Sequence, residues 1–463
     1  MTSERLRWRR ADTVAVTLIT ATAAVVRAIH LTRPKTIVFD EFFYAREACF
    51  LVHRSQQVCG IGEGAISPHP PLGKWLITLG IRAFGYNPLG WRVSALIAGI
   101  LTVSLLYMLA RMLLGSTLGA AMAAGLLAID PLHFVHSRVA MLDVFVTLFI
   151  VLSFLLLVID RDRVEGGASA ARGWLGVRSR GWLLAAGAAA ATKWVGFLAL
   201  AAVAGLAALW AVQRVTERRW PARILSGLRA EGPILLVAMV VAPLLIYVAS
   251  FLGRVDGSVL SWPWTRGSWV RNFLGVQKEM LRFHLVIEDV SPYTSPPWSW
   301  LLIKRPLVYL REASGGSHRE ILAIGIPVVW WASLPALVYL GIRATSRRHL
   351  SAVTAVVIGG FAILYVPWLA VTTERSFTFL FYLLPAVPFM CLALAAVATP
   401  LARSLIGRAA LALLCALAIA FFSFFYPVLT ATPISKPALE ARQWFDDCRV
   451  SPGSLAPNGW CWR

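Results

Sequence analysis

Charge is what this chain lacks. Only 14% of its 463 residues are charged while 58% are hydrophobic, against about 25% charged in an ordinary soluble domain. The apolar residues gather in long runs from end to end, which excludes a water-soluble globule and specifies a polytopic membrane protein. Acidic residues are the scarcer sign, 23 Asp and Glu against 44 Lys and Arg, for a net charge of +21. The basic residues punctuate the apolar runs instead of interleaving with aromatics on a soluble surface. That pattern suits anchoring in a bilayer and argues against a nucleic-acid partner. There is no spaced His/Cys/Glu set of metal-ligating type, so neither a metal nor another cofactor is assigned. There is no internal repeat, which argues against the ground plan of a secondary transporter. No convincing small-residue cleavage site follows the first apolar run, so that run is expected to remain as a membrane span.

The run at 14–31 follows Arg5, Arg7, Arg9 and Arg10, which places its basic end in the cytoplasm. Further runs at 92–110, 117–132, 142–159, 182–192, 195–212, 233–252, 321–341, 351–371, 378–399 and 409–428 bring the predicted total to eleven spans. The stretch 182–212 is divided near Lys193 because both flanks are basic. Alternation puts the arginine-dense stretches 161–180, 214–229, 343–348 and 403–408 inside and the C-terminus outside. The expectation is an all-α, single-domain protein (1–463) of a bacterial plasma membrane; abundant arginine and alanine hint at a GC-rich bacterial genome. It has a first external loop at 32–90, a large one at 253–320 and an external tail at 429–463. Short interfacial helices are expected on the external loops, around 75–79 for instance. Cys49, Cys59, Cys448 and Cys461 all fall in external segments, where oxidising conditions permit Cys49–Cys59 and Cys448–Cys461 disulfides.

Two groups of residues can carry chemistry. The first is Phe39-Asp40-Glu41-Phe42-Phe43-Tyr44, where adjacent carboxylates follow the first span, with Pro68-His69-Pro70-Pro71-Leu72-Gly73-Lys74 a little further on. Side chains of neighbouring residues diverge, so one carboxylate can face a reaction while the other organises its surroundings. Partial desolvation beside a membrane raises a carboxyl toward a usable general base. Helix N-capping is the plainer role for such an acid. The second group runs from Asp130 through His133, His136 and Arg138 to Asp143. Arg92, Arg138, Lys193 and Arg375 are expected on the same face of the bilayer, where a lipid-borne phosphate would supply the anion they lack. Contact with lipid headgroups is their alternative. The aromatic-rich stretch 253–320, with Trp298 and His284, suits an interfacial belt or a platform for sugar and peptide.

These residues carry a resemblance. Phe39-Asp40-Glu41, then His69-Pro70-Pro71-Leu72-Gly73-Lys74, then Ser137-Arg138 with Met141-Leu142-Asp143, in this order between spans, resemble the protein O-mannosyltransferase family. Lys193-Trp194-Val195-Gly196, Phe283-His284, Tyr293-Thr294-Ser295-Pro296-Pro297-Trp298 and Glu374-Arg375-Ser376-Phe377 extend the match across most of the chain. The stretch 253–320 is too short for the β-trefoil of the eukaryotic members, so the resemblance is to the actinobacterial branch. It implies a GT-C membrane fold and an inverting transfer of mannose from polyprenyl-phosphate mannose to Ser or Thr hydroxyls on the outer face. The secretion channel is a further candidate partner. On this footing Asp40 is the expected base and Glu41 the orienter of Arg138. Arg138, Arg92, Lys193 and Arg375 bind the donor phosphate, His69, Lys74 and Asp143 support the site, and Trp298 and His284 meet sugar or acceptor. Transfer from a polyprenyl carrier to a glycolipid or glycan, or flipping of a lipid-linked sugar, are the competing functions.

Overall fold

A computed structural model describes residues 8–53, 55–60, 68–165, 181–214, 222, 224–226, 240–251, 269–286, 291, 293–345, 351–371, 378–449 and 459–463. Among them, eight helices are long and apolar enough to cross a membrane: α1 (Arg10–Ala28), α5 (Pro88–Leu114), α8 (Leu142–Glu165), α10 (Gly196–Arg214), and those at Pro327–Thr345, Ala352–Val371, Leu380–Leu401 and Leu405–Leu429. That is eight where the runs predicted eleven. The run at 117–132 is α6 (Thr117–Ile129), and 182–192 is α9 (Gly181–Thr192). At about 1.5 Å per residue each is roughly 20 Å long, short of a hydrocarbon core of about 30 Å. Of the run 233–252 only 240–251 is described, with a helix at Ala242–Ser250. The run predicted from 321 begins as a helix only at Pro327, because 321–323 belong to a strand.

The most enclosed helices are α8 and the 380–401 segment. The outer ones expose rows of large apolar side chains, such as Val14, Leu18 and Val25 of α1 and Leu405, Ile406, Leu413 and Leu417 of the last long helix. Apolar surface of that extent is suited to lipid. At one end of the bundle, Asp12 of α1 accepts hydrogen bonds from Arg111 (2.8 Å), Tyr107 (3.1 Å) and Thr117 (2.7 Å). A carboxylate buried among these helices needs such partners.

At the opposite end lie the short elements that carry the sequence motifs. The stretch 32–90 holds α2 (Glu41–His53), α3 (Gln56–Cys59) and α4 (Leu72–Phe84), the last covering the predicted apolar stretch 75–79. A Cys49–Cys59 disulfide ties α2 to α3. The stretch 253–320, expected as an external loop with short interfacial helices, contains a helix at Trp269–Val286 and, against expectation, a strand, β1 (Leu307–Ser314), and the start of a second, β2 (Ser317–Ala323). They form an antiparallel hairpin whose turn residues Gly315 and Gly316 have φ of +57° and +77°, the conformation that makes a tight hairpin loop. β3 (Ile434–Ser435) pairs with the turn end of β2. Among the described residues the fold is therefore all-α apart from this small sheet. The tail packs beneath the hairpin: Trp462 is buried and donates to the Ile303 carbonyl (2.7 Å), and Cys448 is bonded to Cys461.

Candidate active site

Asp40 is the last residue before α2, and its carbonyl accepts the Phe43 and Tyr44 N–H groups, 3.0 Å each. Its carboxylate does not cap the helix. It accepts from the phenol of Tyr44 (3.3 Å), one turn on. Glu41 takes the opposite direction: its carboxylate accepts the Val38 N–H and the Ala140 N–H, 3.0 Å each. The adjacent acids thus diverge. Phe39, just before them, holds φ +47°, a left-handed conformation costing about 1–3 kcal/mol in a residue with a Cβ. Its ring stacks on Tyr309 (4.5 Å, 7°) and meets Phe381 edge-on.

Asp40 retains some exposed surface but is enclosed enough that burial raises its carboxyl to about 6. Lys193 opposes that rise and Asp143 adds to it. Lys193 stands where α9 stops and α10 starts. The turn is tight because Gly196 lies against the α9 backbone, where a Cβ would come within 2.1 Å of Ala189. The ammonium donates to both oxygens of Asp143 at the start of α8 (2.9 and 3.0 Å) and sits over the rings of Tyr382 and Phe381. Burial first, then the charges of Asp143 and Asp40, pushes the Tyr309 phenol well above its ordinary range. Asp40, Asp143, Lys193, Tyr44, Tyr309 and Tyr382 thus form one cluster, built from α2, α8, the α9–α10 turn, the hairpin and the segment entering 380–401.

The other expected residues are placed differently. Arg92 is fully buried. It donates to both Glu41 oxygens (2.8 Å each) and to the carbonyls of Leu31 (3.2 Å), Pro34 (2.8 Å) and Thr36 (3.1 Å). Every N–H of its fork is engaged within the protein. Arg138 donates to the carbonyls of Arg27, Ile29 (2.7 Å) and His30 (2.9 Å), the frayed end of α1. Glu41 therefore orients Arg92 and not Arg138. Neither arginine is among the charges acting on Asp40. Arg375 lies outside the described residues.

Lys74 is buried, paired with Glu47, and donates to the His69 carbonyl (2.9 Å). His284 Nε2 donates to the Pro68 carbonyl (3.1 Å), and rings succeed one another from Tyr44 through His69 and His284 to Trp194. His69, Lys74 and His284 thus brace the 68–74 turn against α2. Trp298 is exposed, under the Lys304 ammonium, on the turn whose buried Trp300 meets Tyr382 edge-on.

The sequence reading gave no role to Tyr309, Tyr382 or His136. His136 lay inside a quoted motif, but Tyr309 is remote in sequence, in a stretch read as loop, and nothing local marks it. Among the described residues no three His, Cys, Asp or Glu side chains gather as a metal-holding group.

Residues 17–253 match the family described as dolichyl-phosphate-mannose-protein mannosyltransferase, and residues 269–448 match the C-terminal four-transmembrane region of protein O-mannosyltransferase. A polyprenol-phosphate-mannose–protein mannosyltransferase of Mycobacterium tuberculosis is 30% identical, covering 93% of this chain and 91% of its own. One from Mycolicibacterium smegmatis is 31% identical, covering 93% and 92%. The fold is that of a Saccharomyces cerevisiae protein O-mannosyltransferase in the Pmt1–Pmt2 complex bound to the sugar donor (TM-score 0.75, 15% identity, 95% and 93% covered). It is more distantly that of ArnT from Cupriavidus metallidurans bound to undecaprenyl phosphate (TM-score 0.51, 18% identity, 83% and 60% covered). Together these give a bacterial polytopic membrane enzyme, a glycosyltransferase. The chain belongs to the protein O-mannosyltransferase family.

Proposed function

We propose that this chain transfers mannose from polyprenyl-phosphate mannose to Ser or Thr hydroxyls of polypeptides, with Asp40 as general base. The observation that carries the residue assignment is the setting of Asp40. It is a half-open carboxylate with a raised pKa of about 6, next to a lysine and outside the spanning helices. At pH 7 such a group is mostly ionised yet basic enough to accept a hydroxyl proton in flight. The hydroxyl attacks the anomeric carbon in a single inverting displacement, and the polyprenyl phosphate leaves with the bonding electron pair. One base suffices, whereas a retaining glycosidase needs two carboxylates.

Lys193 is the cation nearest to the reaction on this reading. It is half-neutralised by Asp143 and positioned to meet the charge that grows on the departing phosphate. Arg92 and Arg138, first expected on the phosphate, are assigned to holding the 29–41 segment that presents the base. The site is placed on the extracytoplasmic face. Two disulfides support this, Cys49–Cys59 on α2 itself and Cys448–Cys461 beneath the hairpin, since such bonds persist on the oxidising side of a bacterial membrane. The N-terminus is then cytoplasmic if α1 crosses once.

The test is transfer of radiolabelled mannose from polyprenyl-phosphate mannose to a Ser/Thr peptide by the full chain in liposomes. The unaltered chain should label the peptide, and Asp40→Asn should lose about 10²–10⁴-fold in rate. Label recovered only in glycolipid would refute the acceptor assignment, and normal turnover by Asp40→Asn would refute the base.

A further inference from the structure

Tyr309 occupies an irregular place in its strand. The pairing of β1 with β2 runs Val308 opposite Leu322 and then Leu310 opposite Ile321, so Tyr309 is the extra residue of a β-bulge. Bulges re-aim a side chain and are common beside active sites. This one sets the ring flat on Phe39, the neighbour of Asp40. The side chain is buried, yet the one hydrogen-bond partner of its hydroxyl among the described residues is His136 Nε2, at 2.7 Å.

The direction of that bond follows from the other ring nitrogen. His136 is fully buried, and its Nδ1 has no hydrogen-bond partner among the described residues. Burial also drives the imidazole pKa down to about 4, so the ring is neutral and carries one proton. If Tyr309 donated to Nε2, that proton would sit on Nδ1 as a buried, unpaired N–H, the rarest kind of polar defect. With the proton on Nε2, the imidazole donates to Tyr309 Oη and leaves only a lone pair unmet. The phenolic hydrogen of Tyr309 then has no acceptor among the described residues. Burial first, then the charges of Asp143 and Asp40, raise this phenol above a range that already leaves it protonated at neutral pH.

We propose that Tyr309 is a substrate-binding hydrogen-bond donor of this enzyme, giving its phenolic proton to an oxygen of the incoming glycosyl phosphate. His136 is the positioning residue that frees that proton. The inference rests on the proposed sugar transfer and extends it, because the oxygen belongs either to the sugar or to the phosphate. No covalent step is asked of either residue. Tyr309 binds and His136 fixes a proton.

The experiment uses the full chain in liposomes with polyprenyl-phosphate mannose and a Ser/Thr peptide. Tyr309→Phe keeps the ring on Phe39 and removes only the hydroxyl. It should lower kcat/KM about 10- to 100-fold, the worth of a hydrogen bond to a charged or polarised oxygen; the His136 Nε2–H that loses its acceptor lowers the unfolding temperature modestly, and the chain stays folded at the assay temperature. His136→Gln, whose amide N–H can still donate, should retain more activity than His136→Phe. Sugar-free polyprenyl phosphate as inhibitor separates the two sources. Inhibition weakened in step with kcat/KM assigns the oxygen to phosphate, and inhibition unchanged assigns it to the sugar. Tyr309→Phe with parental kcat and KM, or with a loss that only follows the fraction of chain unfolded at the assay temperature, overturns the proposal. Absence of transfer by the unaltered chain would instead refute the function on which it rests.

Discussion

Asp40 titrates where it can be tested. Its raised pKa means that the folded chain holds this proton more tightly than the unfolded chain does. Folding stability from this group is therefore full below its ordinary value of 3.8 and declines as pH rises through about 6. Activity takes the opposite sign if Asp40 is the base proposed above, since the ionised form accepts the proton. The rate of mannose transfer should fall on the acid side with an apparent pKa near 6, close to tenfold per unit, and this limb should vanish from the residual activity of Asp40→Asn. Glu41 behaves differently: its carboxylate is fully buried and bonded to Arg92. Glu41→Gln leaves a buried guanidinium without its counter-charge and should destabilise the fold by about 3–5 kcal/mol, read as a drop in unfolding temperature. Divergence of the two acids is an expectation from the sequence that the fold bears out. Which arginine Glu41 organises was not legible there, because Arg92 and Arg138 are both arginines near helix boundaries and only the packing of 29–36 separates them.

The elements were legible where periodicity and length agreed. The long apolar helices and the break at Lys193 could be read from the chain, since both flanks of 182–212 are basic; the close approach of Gly196 that makes the turn tight could not. Tyr309 could not, because a short hairpin with polar residues toward its tip resembles an irregular loop in sequence. The 29–41 segment stores strain at Phe39, which stacking on Tyr309 maintains. Tyr309→Ala removes that support while leaving Asp40 in place. It should reduce kcat more than Tyr309→Phe does, an ordering that steady-state kinetics on the two variants would check. The Cys49–Cys59 bridge acts at the same scale, closing a loop of 10 residues in sequence. Cys49→Ser with Cys59→Ser should cost about 2–4 kcal/mol, measured by thermal unfolding under oxidising conditions.

The whole molecule separates two ends. One is latched by Asp12 with Arg111, Tyr107 and Thr117, and the other carries both disulfides, the hairpin and the reacting groups. If the second end faces out of the cell, Ser314→Cys at the exposed tip of β1 should react with a membrane-impermeant maleimide on intact cells. A cysteine in place of Trp8, exposed just before α1, should react only after permeabilisation. The count of crossings was the least legible property, because the runs at 117–132 and 182–192 look like spans in composition while the helices they form, 13 and 12 residues long, fall short of a bilayer.

The five hydrogen bonds of Arg92 also bear on tempo. A base-bearing strip riveted to a transmembrane helix at so many points cannot swing shut over its reactants as a hinged flap does. Donor and acceptor must slot into a mould that is already cast. Turnover then asks no closing stroke of the 31–41 strip itself.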